Sequence, residues 1–181
     1  FSVNAHRSSP IQIGTSYSWV QAVIGRHALA TTTNGLLFAW GWNPTGEVGD
    51  NTTISRSSPV QIGSSSYSQV SVGNSSMMAL TVDGRLFVWS LNTNGQLGQN
   101  DVVARSSPVQ VGTSSYSLIS AGVDYTLATT INNLLYGWGN NDTGALGDGT
   151  TINQSSPIFI AAVIPNQSSY SIVSSGGRYA S

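Results

Sequence analysis

The sequence predicts an all-β repeat protein made of four-stranded antiparallel blades, one about every 49 residues. Three observations carry that reading. The phrases Trp40–Gly49 (WGWNPTGEVG), Trp89–Gly98 (WSLNTNGQLG) and Trp138–Gly147 (WGNNDTGALG) place their tryptophans 49 residues apart. Pro10, Pro59, Pro108 and Pro157, each in a Ser-Ser-Pro phrase, keep the same interval. Helix signals are missing: no stretch carries apolar side chains at three-and-four spacing behind a cap, and Gly, Ser and Thr interrupt the chain at short intervals. A period of this length is read before any single residue, because one blade cannot bury both its faces and must stack on its neighbours.

The second copy shows the elements most clearly. From Tyr67 the segment YSQVSVG alternates, with Val70 and Val72 on one face, and reads as a first strand closed by Gly73. Met77–Val82 (MMALTV) reads as the second. Asp83-Gly84 then signals a two-residue hairpin of type I′, whose two central positions need positive φ. In the third copy Asn132-Asn133 takes that place, and asparagine also reaches the left-handed region. Arg85–Trp89 is the third strand, with Phe87 and Trp89 on one face and Leu86 and Val88 on the other. The fourth strand begins at Pro108, as at Pro59 in the copy before, and a proline there removes a ladder donor and predicts a sheet edge.

The chain therefore divides into the end of a preceding blade at 1–14, blades at 15–63, 64–112 and 113–161, and the start of a further blade at 162–181. In the first copy, a shortening before Tyr17 is expected to balance a lengthening before His27. The insertion Ala162–Asn166 lengthens one connecting loop.

Composition narrows the function classes. Of 181 residues only 6 are basic and 7 acidic, and every basic residue is arginine. Isolated arginines do not form the clustered cations that nucleic acid or an anionic membrane requires. No apolar run reaches the roughly 20 residues that span a bilayer. With no cysteine there is no disulfide, thiolate metal site or thiol nucleophile. The lysine-free, low-charge composition points to an extracellular or virus-particle surface.

The stretch Val20–His27 with Leu29-Ala30, the aromatic-x-Trp phrases Phe38–Gly49, Phe87–Gly98 and Tyr136–Gly147 with their Asn-x-x-Gly-x-Leu/Val-Gly pattern, and the Ser-Ser-Pro phrases together resemble the regulator of chromosome condensation repeat family over essentially the whole chain. The wording looks like that of bacterial and phage-type, secreted or particle-borne members. The resemblance implies a β-propeller, commonly of seven blades, which at this period needs roughly 340 residues. The rest of its own chain is then expected to close the ring. It also implies a structural hydrogen bond from His27 at the turn between the first two strands.

Side chains repeated in every copy, Trp40, Trp89 and Trp138, are assigned to packing between blades. The paired turn glycines lack the Lys-Ser/Thr of a phosphate loop and open no helix. Asp50 and Asp148 recur with Gln99 between them, which fits a turn role better than acid-base chemistry. No serine has a partner base, and no histidine stands at ligand spacing, so neither a catalytic residue, a metal site nor a cofactor is expected. Asn-x-Ser/Thr triplets start at Asn51, Asn74, Asn141, Asn153 and Asn166.

Specific contacts are then expected where the copies disagree: Trp19, Arg26, Trp42, Glu47, Asn74, Asp124 and Tyr125. The favoured function is a non-catalytic propeller that binds another protein or builds a secreted assembly or virus particle. A guanine-nucleotide exchange factor for a small GTPase and a glycan-binding propeller using Trp19 and Trp42 are the alternatives.

Overall fold

The computed structural model describes residues 9, 12–14, 17–74 and 76–162. Among the described residues, twelve strands form three four-stranded antiparallel sheets, each in simple sequence order. The first blade comprises β1 (Trp19–Ile24), β2 (His27–Thr32), β3 (Leu37–Gly41) and β4 (Arg56–Gln61). The second comprises β5 (Tyr67–Val72), β6 (Ser76–Thr81), β7 (Leu86–Ser90) and β8 (Arg105–Gln110). The third comprises β9 (Tyr116–Ala121), β10 (Tyr125–Thr130), β11 (Leu134–Gly139) and β12 (Gln154–Ala162). Among the described residues there is no helix long and apolar enough to cross a membrane.

The blades stack through their first two strands: β1 touches β5, β5 touches β9, β2 touches β5 and β6 touches β9. The fourth strands lie at sheet edges, as their prolines require. The prolines are not first in those strands, however. β4 begins at Arg56, and Pro59 falls in the register break between the Ala39–Val60 and Gly41–Arg56 pairs. A bulge leaves a residue out of the ladder, so the missing N–H costs no pairing there.

Strand alternation divides each blade into two apolar faces. Trp89, Met77 and Ala79 pack with Leu29, Leu37 and Val48 of the first blade, with Phe87 against them. Leu86, Val88, Met78 and Leu80 pack instead with Tyr116, Ile119 and Trp138 of the third. The two faces expected for the third strand are thus both buried, each against a different neighbour.

The hairpins differ from the expected two-residue type I′ turn. Only Gly84 has positive φ (83°), and its N–H bonds to the Thr81 carbonyl while Thr81 N–H bonds to the Arg85 carbonyl. A turn with one left-handed residue closing a bulge accounts for this better. Gly35 at 76° and Asn133 at 61° hold the same place in the other blades, so asparagine does reach the left-handed region there.

The first blade also corrects the expected length changes. Trp19 pairs with Thr32 as Tyr67 pairs with Thr81 and Tyr116 with Thr130. Its counterpart in the other blades is therefore tyrosine, and the extra residue lies before β1. The turn after β1 is one residue shorter, closed by Gly25 N–H on the His27 carbonyl, where Gly73 reaches to Ser76 and Gly122 to Tyr125.

Candidate functional site

Each blade has two ends. The hairpins 33–36, 82–85 and 131–133 lie at one. At the other, here called the turn face, the short turns after β1, β5 and β9 meet the long Trp-Gly phrases. Main-chain bonds join them, with Trp42 N–H on the Arg26 carbonyl at 3.0 Å and Asn140 N–H on the Asp124 carbonyl at 2.8 Å.

The phrases are organised by an asparagine. Asn43, Asn92 and Asn141 are fully buried. Their Oδ1 atoms accept from Val48, Leu97 and Leu146 N–H at 2.8, 2.9 and 3.0 Å. Their Nδ2 atoms donate to the carbonyls of Thr52, Asp101 and Thr150 at 3.1, 2.9 and 3.1 Å. One amide therefore satisfies both limbs of a loop that has no ladder of its own. Burial of Asn141 also removes it as a glycan acceptor.

Aspartate supplies the second brace. Asp50 accepts from the Thr52 hydroxyl at 2.6 Å and pairs with Arg56 at 2.5 Å. Burial opposes its charge, but Thr52 and Arg56 together hold its carboxyl below the ordinary value. Where Gln99 replaces this aspartate, Asp101 takes the role, pairing with Arg105 at 2.6 Å and accepting from Val103 N–H at 2.9 Å. In the third blade Asp148 accepts from Thr150 N–H at 2.9 Å, and Gln154 stands where Arg56 and Arg105 stand.

Of the expected contact residues, Arg26 and Trp42 of the first blade, Asn74 of the second and Asp124 and Tyr125 of the third lie at the turn-face ends of their blades. Trp42 is 52% exposed, and Arg26 and Asn74 are exposed. Asp124 and Tyr125 are half-buried; burial pushes the Asp124 carboxyl upward, and the Tyr125 ring lies against Gly122, where a Cβ would come within 2.5 Å.

Two others are placed differently. Glu47 is buried, and its carboxylate folds back onto Thr45, accepting from the N–H at 2.9 Å and the hydroxyl at 2.7 Å. It is therefore unavailable to a partner. Trp19 lies at the hairpin end, half-buried beside Tyr17, Phe38 and Trp40, with its indole N–H on the Ile13 carbonyl at 2.9 Å. It fills the tyrosine position of the blade scaffold.

His27 is buried; its ring nitrogens make no hydrogen bond of close geometry among the described residues, and the Gly73 backbone beside the ring favours its charged form.

Sequence reasoning missed one feature of the turn face. Ile54, Val103 and Ile152 recur at the repeat interval, yet they are 62%, 58% and 66% exposed. A repeated apolar residue reads as core; the signal against core was the polar, strand-free loop around each.

At the hairpin end, a groove of about 320 Å³ runs between the second and third blades, bordered by Ser68, Thr81, Asp83, Ser117 and Ile131. Among the described residues no group of three metal-ligating side chains converges.

The regulator of chromosome condensation (RCC1) repeat model matches residues 34–80, 83–129 and 132–180. The chain belongs to the RCC1 repeat family. A second RCC1 model matches 67–96. Among solved structures, Prp20p from Saccharomyces cerevisiae, described with its binding to Gsp1p and histones, is similar at TM-score 0.69 and 20% identity, over 78% of this chain and 38% of that one. Yeast RCC1 (Prp20) bound to Kap60 is similar at TM-score 0.74 and 22% identity, over 92% of this chain and 41% of that one. Human WBSCR16 matches at TM-score 0.50 and 20% identity, over 87% of this chain and 56% of that one. At these identities the likeness shows the propeller fold. The chain spans about two fifths of the two yeast structures. No curated protein matches it.

Proposed function

We propose that this RCC1-repeat chain is a non-catalytic interaction module whose turn face docks another protein. The observation that carries the reading is the exposure of Trp42, Ile54, Val103 and Ile152 at one end of three consecutive blades. Tryptophan anchors with apolar neighbours are typical centres of protein interfaces. The polar network beneath holds these loops in place, which limits the ordering cost of binding. Histones, Gsp1p and Kap60 are the first partners to try, because the similar yeast structures are described with them.

The test is surface-immobilised binding of these proteins to the chain, to Trp42→Ser and to Val82→Ser, which alters the hairpin end. Loss of about tenfold in affinity on Trp42→Ser alone, about 1.4 kcal/mol, supports the reading. Equal loss in both variants, or none in Trp42→Ser, refutes it. Nucleotide release from a small GTPase would support the exchange-factor alternative; the longer loop at 162–166 that this reading draws on lies largely outside the described residues. Glycan-array binding lost on Trp42→Ser would support the carbohydrate alternative. The lysine-free composition supports placing the module in a secreted assembly or virus particle, with the rest of a longer chain closing the ring. Immunodetection in culture supernatant and purified particles checks that placement.

A further inference from the structure

The groove at the hairpin end between the second and third blades has a one-sided hydrogen-bonding wall. Ser68 and Ser117 are the extra residues of matching β-bulges, where the pairing steps from Tyr67–Thr81 to Gln69–Leu80 and from Tyr116–Thr130 to Leu118–Thr129. A bulge re-aims its extra side chain, and here both serines border the groove.

Their protons point into the protein. Ser68 Oγ donates to the Leu80 and Thr81 carbonyls, each at 3.2 Å, and Ser117 Oγ to those of Thr129 and Thr130 at 3.2 and 3.1 Å. Gln69 Nε2 donates to the Ser117 carbonyl at 2.7 Å, and the Thr81 hydroxyl donates to the Asp83 carboxylate. The N–H groups of Val82, Gly84, Tyr116 and Ile131 all end on main-chain carbonyls. Ser115 adds a hydroxyl that can turn either way. Otherwise the wall offers lone pairs, on the two serine oxygens, Gln69 Oε1 and Asp83, so a ligand there must bring its own protons.

Charge decides which kind of donor fits. Asp83 lies 2.9 Å from Arg85 Nε, and Arg85 is held over the Phe87 ring. The Thr81 hydroxyl, with Arg85 beside it, holds the Asp83 carboxyl below its ordinary value, so the carboxylate is ionised and the pair is neutral. A further cation would meet the Arg85 guanidinium, whereas uncharged hydroxyls would not. Val82 and Ile131, 69% and 61% exposed, flank the groove with apolar surface that suits the C–H face of a sugar ring. The volume of about 320 Å³ lies within the range of small-ligand sites.

We propose that this groove binds a saccharide, whose hydroxyls donate to Ser68, Ser117, Gln69 and Asp83 while its ring lies between Val82 and Ile131. The first blade supplies an internal contrast. Val20 and Asn34 stand at the positions of Ser68 and Asp83, so the matching place between the first and second blades lacks one bulge hydroxyl and the carboxylate. The site is independent of the turn-face reading and of glycan contact through Trp19 or Trp42, because neither tryptophan borders the groove.

Saturation-transfer NMR with free glucose, galactose, mannose and N-acetylglucosamine, together with an array of immobilised glycans, tests this on the chain and on Ser68→Val, Asp83→Asn and Trp42→Ser. The first two variants install the residues of the first blade, so the far-ultraviolet circular dichroism spectrum should not change. Binding should weaken at least about tenfold in each of them and persist in Trp42→Ser. Binding of free sugars alone assigns a soluble saccharide, and binding on the array alone a glycan chain; either supports the proposal. Amide shifts of Gly84 and Ser117 on titration locate the ligand in the wild-type chain even where a variant misfolds. No binding on both platforms overturns the proposal, as does binding that survives Ser68→Val and Asp83→Asn or is lost in Trp42→Ser. Saturation transfer to methylammonium that exceeds transfer to every sugar overturns it too.

Discussion

The indole N–H of Trp89 closes on the main-chain carbonyl of Glu47 at 2.8 Å, so the tryptophan of one blade fastens the turn of the blade before it. Trp138 does the same to Gln96 at 3.0 Å. The repeated tryptophans are therefore joint residues, and each glycine beneath them is there for space.

That geometry separates two glycines with the same backbone. Gly98 has φ 64° and Gly147 φ 72°, and both suit asparagine. A side chain at 98 meets the Trp138 nitrogen at 2.8 Å, whereas one at 147 meets nothing within 4 Å among the described residues. Gly98→Asn should cost about 1–3 kcal/mol by overpacking. In dilute solution Gly147→Asn should fall within about 0.5 kcal/mol of wild type. Urea unfolding of both variants checks the contrast, and equal losses would contradict the packing role.

Ser90 follows its tryptophan where the other blades have glycine. Its φ is 87°, against 105° at Gly41 and 104° at Gly139. A side chain in this region is strained by about 1–3 kcal/mol. Part of that is offset by the Ser90 hydroxyl, which meets Thr45 Oγ1 at 3.1 Å, while Thr45 donates to Glu47. Ser90→Gly should raise stability by about 1 kcal/mol, a Tm shift of about 2–4 °C. Calorimetry decides the sign, and an unchanged or lower Tm rejects the strain.

Asn92 gives the complementary case. Its amide accepts from Leu97 N–H at 2.9 Å and donates to the Asp101 carbonyl at 2.9 Å, fully buried. Asn92→Ala strands both groups, at about 1–3 kcal/mol for each unsatisfied partner. The loss should appear in the midpoint of urea unfolding. A change below about 0.5 kcal/mol would show that the loop re-forms without its brace.

These residues also show what the sequence can carry. The repeat, the blade strands and the two faces of β7 were legible because period and alternation are local signals. Disagreement between copies is a poorer guide, since a residue that differs can be buried. At a joint, each pair of blades finds its own polar solution: Thr45, Glu47 and Ser90 in one, Asn94 N–H on Gln96 Oε1 at 2.8 Å in the next. Glu47 differs from its counterparts because its neighbours differ. Trp19 misled for another reason, as an aromatic replaced an aromatic after a one-residue slip. Conversely Ile54, Val103 and Ile152 agree and are exposed, which repetition alone does not reveal.

Acid should open the first joint before the rest. His27 is buried between the first two blades, and burial lowers its pKa, outweighing the Glu47 carboxylate and the Gly73 backbone, which both favour the charged ring. The unfolded chain binds that proton near pH 6.5, while the folded chain does so only at lower pH. Stability is therefore full above about pH 6.5 and falls as pH drops from there toward the folded pKa. Asp50, held below its ordinary value, adds a second loss only as pH falls below the normal carboxylate range, near 4. Urea midpoints measured from pH 7.5 to 4.5 should fall first in the histidine window. His27→Ser installs the residue found at Ser76, the same register position of the second blade. It should lower overall stability through lost packing yet flatten the slope between about pH 6.5 and 5. A slope unchanged by His27→Ser would assign the acid sensitivity to another group.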